Sequence, residues 1–206
     1  MPTAAPRTDD AAPRIRLGCA GWSIASSQRA LVGDGASQLA RYATRFDAVE
    51  INSTFYRAHR ASTYQRWADS VPAQFRFSAK LPRTITHDAR LQGVAPLLQT
   101  FLGEVGHLGD KLGCLLVQLP PRLAFDARTA ATFFAMLRRC WHGAPRIYYS
   151  DYPDAALQDL AKRVVAATPH SREAWVLFDN TALGHALANA ATLLAQLHAL
   201  GSGAGS

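Results

Sequence analysis

Residues 112–121 read LGCLLVQLPP. Eight almost wholly apolar residues end at two prolines, the pattern of a strand covered on both faces of a parallel sheet. The prolines stop it, because they cannot donate ladder hydrogen bonds. Upstream, three runs share this β-branched or aromatic character: IRLGCAGW at 15–22, AVEINST at 48–54 and FRFSAKL at 75–81. Downstream, AWVLFDN at 174–180 is the last. Helical patterns lie between them. Apolar Leu39, Ala40, Ala43 and Phe46 place one over 37–46, Ser62 caps another over 62–71, and a third falls within 94–108. Asp126 caps a helix over 127–140, Asp154 opens one that reaches about 167, and the last covers 182–200. Residues 141–152 read as irregular.

Strand–helix alternation predicts a parallel sheet with crossover helices. An open doubly wound sheet would need support from a GxGxxG turn. The first strand instead ends in GCAGW, and no GxxxxGK[ST] occurs either. The expected fold is therefore an α/β barrel of the TIM type, occupying 15–200 as a single domain. Residues 1–14, rich in Pro, Ala and Asp, read as a disordered tail without the apolar core of a secretory signal, and GSGAGS at 201–206 as a flexible one.

Hydrophobic residues make up 49% of the 206 and charged residues 18%, which excludes a disordered chain. No apolar run approaches the roughly 18 residues of a membrane span. Three cysteines, Cys19, Cys114 and Cys140, lack CxxC spacing, so neither a disulfide framework nor a structural zinc site is expected, and the default setting is the cytoplasm. The net charge of +7 invites a nucleic-acid partner. Only Lys80, Lys111 and Lys162 are lysines, however, and the scattered arginines suit a compositional bias equally well.

In a parallel α/β sheet, ligands meet the C-terminal ends of the strands, and here the polar interruptions come late. They are Glu50 with Asn52, Lys80, Gln118, and Asp179 with Asn180, while Trp22 ends the first strand. A charge inside an apolar strand is costly unless paired or hydrated. Glu50 and Lys80 therefore either pair across neighbouring strands or share a cleft with a ligand, where Lys80 would bind an anion or act as a base. The following loops are basic: Arg57, His59 and Arg60, then Arg83 and His87, then Arg122, with Arg146 further on. Arginine forks match phosphate and carboxylate, and Trp22, Phe55, Tyr56, Trp141, Tyr148, Tyr149 and Tyr152 are available to stack on sugars or bases. The histidines never take metal-ligand spacing, and no GxSxG elbow exists. No metal and no cofactor is expected.

Five ordered motifs carry a resemblance. GCAGW at 18–22, FDAVEINSTFYR at 46–57, FRFSAKLPRTITH at 75–87, LGCLLVQLPPRLAFD at 112–126 and WVLFDNTALGHALANA at 175–190 are similar to the YecE-like bacterial family. The resemblance implies a TIM-type barrel. It implies no established activity: members have been likened, by barrel shape only, to sugar isomerases and abasic-site endonucleases. The chain also departs from the family. Where the family continues with further βα units, LRRC at 137–140 runs straight into WHGAPRIYYS at 141–150, and strands near the family's fifth to seventh are missing. A full barrel takes about 31 residues per unit, so the length between the tails suffices for about six units.

The expectation is an incomplete (β/α) barrel binding an anionic sugar- or phosphate-containing ligand. Glu50, Lys80 and His142 are the catalytic candidates, with Glu50 or His142 as base and Lys80 as electrostatic stabiliser. Trp22, Asn52, Tyr56, Arg57, Arg83, Gln118 and Asn180 are the ligand-binding candidates. Two other readings stand beside it: a nonspecific nucleic-acid-binding module, and a non-catalytic remnant that self-associates through unclosed sheet edges.

Overall fold

The computed structural model describes residues 14–136, 152–167, 173–181 and 184–202. Five strands alternate with helices: β1 Arg14–Cys19, β2 Ala48–Ile51, β3 Arg76–Lys80, β4 Leu112–Leu116 and β5 Glu173–Phe178. The helices are α1 Gln38–Tyr42, α2 Ala61–Asp69, α3 Ala95–Val105, α4 Ala127–Met136, α5 Asp154–Ala167 and α6 His185–Ser202. Among the described residues every strand pairing is parallel: β1 with β5, β2 with β3, and β3 with β4. The Ala20–Glu50 bridge joins the two groups, giving the order β5-β1-β2-β3-β4. Among the described residues, β4 and β5 are not paired with each other.

The sheet is rolled. Its outer strands are four spacings apart, roughly 19 Å if flat. Yet the Trp175 indole of β5 lies so close to Gly113 of β4 that a Cβ there would collide with the ring. Gly113 sits at the irregularity where Phe77 pairs with Leu112 but Ser78 pairs with Cys114. The face bearing Trp175 is thus concave. By the two-residue alternation it also carries Arg16, Gly18 and Ala20, then Glu50, then Ser78 and Lys80. On the other face Leu17, Cys19, Val49, Ile51, Phe77 and Ala79 enter the apolar core with Tyr42, Tyr64, Phe101, Leu187 and Leu193 from the helices.

At the β1–β2 seam the chains approach closely. A Cβ on Gly18 would run into the Ala48 carbonyl, and the seam is stitched largely by side chains. The Tyr42 hydroxyl, fully buried, accepts from Cys19 N at 2.8 Å and donates to Ala48 O at 2.9 Å. Asp47 Oδ1 accepts from Leu17 N at 3.3 Å, and the Gly21 amide donates to Glu50 O at 2.9 Å. The N-terminal end is plugged by Arg16, which donates to Glu173 at 2.6 Å, Asp47 at 3.0 Å and the Gln74 carbonyl at 2.7 Å.

Several expectations need correction. β4 was expected to be covered on both faces, but it is half-buried with Gly113 exposed, because an apolar run reports composition and not rank within the ladder. Ser62 is not a cap: Arg60 occupies that position and enters the helix through its carbonyl, with no side-chain bond. The second strand ends at Ile51, where a 3-10 turn over Asn52–Phe55 begins, closed by Thr54 Oγ1 donating to Ile51 O and Lys80 O. The helix expected over 37–46 is the single turn α1, capped by Ser37. Asp126 accepts from Thr129 N at 2.6 Å, as a cap does. β1 begins at Arg14 and α6 runs to Ser202, each reaching into a segment read as tail. Short turns over Ser26–Leu31, Thr84–Asp88 and Gly106–Lys111 gave no sequence signal that was read.

Replacing Tyr42 by Phe strands one buried amide and one buried carbonyl. The expected loss is about 2–4 kcal/mol, read as a lower urea midpoint with an unchanged m-value; an unchanged midpoint would show that the seam does not need the hydroxyl.

Candidate functional site

The register places Asp179, Ala20, Glu50, Ser78 and Cys114 in one row across the concave face, since Cys19 pairs with Phe178 and Ala20 with Glu50. Lys80 stands two residues beyond Ser78, at the C-terminal end of β3. β3 turns into its loop directly after Lys80, and β2 one residue after Glu50.

Lys80 is 1% exposed and Glu50 2%. The Lys80 ammonium donates to Asn52 Oδ1 at 3.0 Å and stands 4.0 Å from Glu50 Oε1, too far for a hydrogen bond. The Phe55 ring covers it, with its centroid 5.1 Å from Nζ. Burial pushes the Glu50 carboxyl up to about 7; Lys80 pulls against this and the charge of Asp179 adds to it. Asp179 is likewise raised by burial, with Lys80 opposing. Two carboxyl groups thus share one ammonium, the Glu50 side buried and the Asp179 side half-buried, and burial raises both carboxyls while Lys80 opposes it.

The remaining candidates are less gathered. Trp22 packs edge-on against Trp67 at 5.1 Å, and Trp67 against His59 and Tyr64, in an aromatic wall over α2. His59 shares a 2.8 Å hydrogen bond with Ser53, and burial followed by Arg57 holds its imidazole below the ordinary range. Tyr56 is 70% exposed and touches Phe55. Arg57 is exposed, and Arg83 turns to Asp88 of its own loop at 3.2 Å. Gln118 is half-buried beyond β4. Asn180 is buried and donates to Asn189 Oδ1 at 2.7 Å, which ties the β5 loop to α6. His142, Arg146, Trp141, Tyr148, Tyr149 and Cys140 lie outside the described residues.

Asp179 and Ser78 are the residues that sequence reasoning left out of the candidate set. Asp179 follows β5 at the same parity as Leu177, and that parity is the signal that separates it from its neighbour Asn180. Ser78 gave none, being a small residue inside a strand. His87 packs edge-on against Phe55 at 5.0 Å, and burial together with Arg83 lowers its imidazole. A cavity of about 530 Å³ opens elsewhere, between the β1 loop and the start of α6, lined among others by Cys19, Gln28, Gln38, Thr181 and Leu187. None of Glu50, Asn52, Lys80 or Asp179 lines it. Among the described residues no group of three metal-ligating side chains occurs, and no helix is long and apolar enough to cross a membrane.

Comparison with known proteins bears on the fold and the family. The crystal structure of a DUF72 family protein from Enterococcus faecalis V583 superposes with a TM-score of 0.69 at 18% identity, covering 89% of this chain and 95% of that one. A DUF72 family protein from Thermotoga maritima MSB8 gives 0.69 at 16% identity, covering 90% and 99%. At such identity these share the fold alone. UPF0759 protein YecE of Escherichia coli K12 is 35% identical over 86 residues, 42% of this chain, and the match spans 32% of that protein's length. A profile described as "Protein of unknown function DUF72" matches residues 16–145 and 128–204. With nearly the whole strand–helix region inside those two matches, the chain belongs to the DUF72 family.

Proposed function

We propose that this chain binds an anionic, sugar- or phosphate-containing ligand across the C-terminal ends of β2, β3 and β5, and that Glu50 exchanges a proton with it. One observation carries the reading: at the strand ends a buried carboxyl is poised near neutrality, with its Oε1 facing no hydrogen-bond partner among the described residues. The charge distribution sets the ligand's orientation. Two carboxyl groups against one ammonium make a poor floor for a phosphate, so the anionic end stays at the rim with Arg57 and Arg83. The hydroxyl-bearing end points inward toward Glu50 and Asp179. Entry passes the Asn52–Phe55 turn, whose Phe55 ring lies over Lys80.

The scaffold in this reading is a TIM-type barrel shortened in its middle. The roll of the sheet supports it, as do the two overlapping family matches and the departure from the family pattern after residue 137. A reducing, cytoplasmic setting suits the buried thiol of Cys19.

A second reading has its own observation. Tyr56 is 70% exposed and Phe125 80%, on the loops after β2 and β4, which also carry the exposed Arg57 and Arg122. Bare rings flanked by arginine are what single-stranded nucleic acid stacks on.

Thermal melting with a panel of sugar phosphates tests the first reading. A true ligand at a hundredfold excess over Kd raises Tm by about 5–10 °C, and Lys80→Ala removes the response. No response from any of them, with Lys80→Ala behaving as wild type, overturns it. The proton on Glu50 has its own signature. Since burial raises its carboxyl from 4.5 to about 7, the stabilisation from its protonated form is complete below pH 4.5 and fades as pH rises toward 7. Relative to Glu50→Gln, wild type loses up to about 3 kcal/mol across that window in urea titrations; a pH-independent difference would remove Glu50 from the proposal. For the second reading, affinity for oligo-dT falls about tenfold between 50 and 200 mM salt, and a flat response rejects it.

A further inference from the structure

Two buried cations occupy opposite ends of the rolled sheet, and their surroundings differ. Arg16, 3% exposed, is held by two carboxylates and a backbone carbonyl. Lys80, 1% exposed, has a single hydrogen bond among the described residues, to Asn52, although an ammonium carries three donors. Around it Glu50 Oε1, Ser78 Oγ and Asp179 Oδ1 also have no hydrogen-bond partner among the described residues. All of them belong to one face and to adjoining rows of the sheet. A buried ion pair kept for stability closes to hydrogen-bond contact, about 2.8 Å. The 4.0 Å between Nζ and Oε1 leaves both groups with unused capacity. An amine held dry, under-coordinated and beside a proton acceptor is arranged as a nucleophile.

We propose that Lys80 forms a covalent iminium with the aldehyde or ketone carbonyl of its ligand. This rests on the ligand reading above and specifies the ligand's reacting group. Glu50 takes one proton from the ammonium. The free amine then bonds to the carbonyl carbon while the π pair moves to oxygen, and Glu50 returns the proton to that oxygen, giving a carbinolamine. A second proton passes from nitrogen through Glu50 to the hydroxyl, which leaves as water as the C=N bond forms. Ammonium and carbonyl enter, iminium and water result, and no oxidant or reductant is needed. Ser78 Oγ and Asp179 Oδ1 are left to hold the ligand's hydroxyl groups.

The chain has three lysines, so the test is unambiguous. The full protein is incubated at pH 8 with D-glyceraldehyde 3-phosphate and sodium cyanoborohydride, and the reduced adduct is mapped by peptide mass spectrometry. Lys162, exposed on α5, is the internal reference, whereas Lys111 donates to the carbonyls of Ala68 and Val71. Lys80 should be labelled at least about tenfold faster than Lys162, and Glu50→Gln should bring that ratio toward one while leaving Lys162 unchanged. The comparison is made within one unmutated molecule, so it does not depend on any variant folding. Labelling of Lys80 no faster than Lys162 overturns the nucleophile. Melting curves with the same compound and no reductant separate the two readings. A rise in Tm without an adduct at Lys80 overturns the iminium alone, and neither a rise nor an adduct overturns both.

Discussion

The Tyr42 hydroxyl holds together the place where this sheet is thinnest. β1 and β2 approach so closely that Gly18 has no room for a Cβ against Ala48, and a regular ladder does not form along their full length. One buried phenol satisfies an amide of the first strand and a carbonyl of the second, and the Ala20–Glu50 bridge continues the seam above it. Glu50 owes its position to that seam. Were the two strands to part, Asp179 on the β5 side would be separated from Glu50 and Lys80 on the β2–β3 side, and the shared electrostatics of the site would disappear.

The two ends of the sheet illustrate opposite uses of a buried charge. Removing an ion from water is costly, and several good hydrogen bonds are needed to offset it. At the N-terminal end Arg16 has them, in keeping with a structural plug. At the C-terminal end Lys80 does not, and the carboxyl beside it is held near neutrality instead of fully ionised. In the loop after β3, Arg90 and Leu91 both take left-handed φ, at 50° and 67°, one residue beyond the Thr84–Asp88 turn. Left-handed backbone costs a residue with a side chain about 1–2 kcal/mol.

Much of the fold was readable because strand and helix periodicities are local. Among the described residues, all five strands and six α-helices match the sequence reading, with differences of a few residues at their ends. The polar strand ends were readable for the same reason: a charge in an apolar run stands out. What escaped were features set by partners distant in the chain. The half-exposure of β4 depends on where it ranks in the ladder. The role of Tyr42 depends on two strands meeting beside α1. Asn180 was preferred to Asp179 because both follow the same strand, and only the pairing of Cys19 with Phe178 shows which of them faces inward.

The amino-acid order by itself determined the alternating α/β class, the family likeness and the presence of charge at the ends of β2 and β3, because each is written in neighbouring residues. Tertiary structure alone decided that the sheet rolls until Trp175 meets Gly113. It alone brought Asp179 to bear on Glu50, and among the described residues left Lys80 with one hydrogen bond while Arg16 received three. Electrostatic strength depends on distance and on the exclusion of water, and neither exists until segments far apart in the chain are packed together.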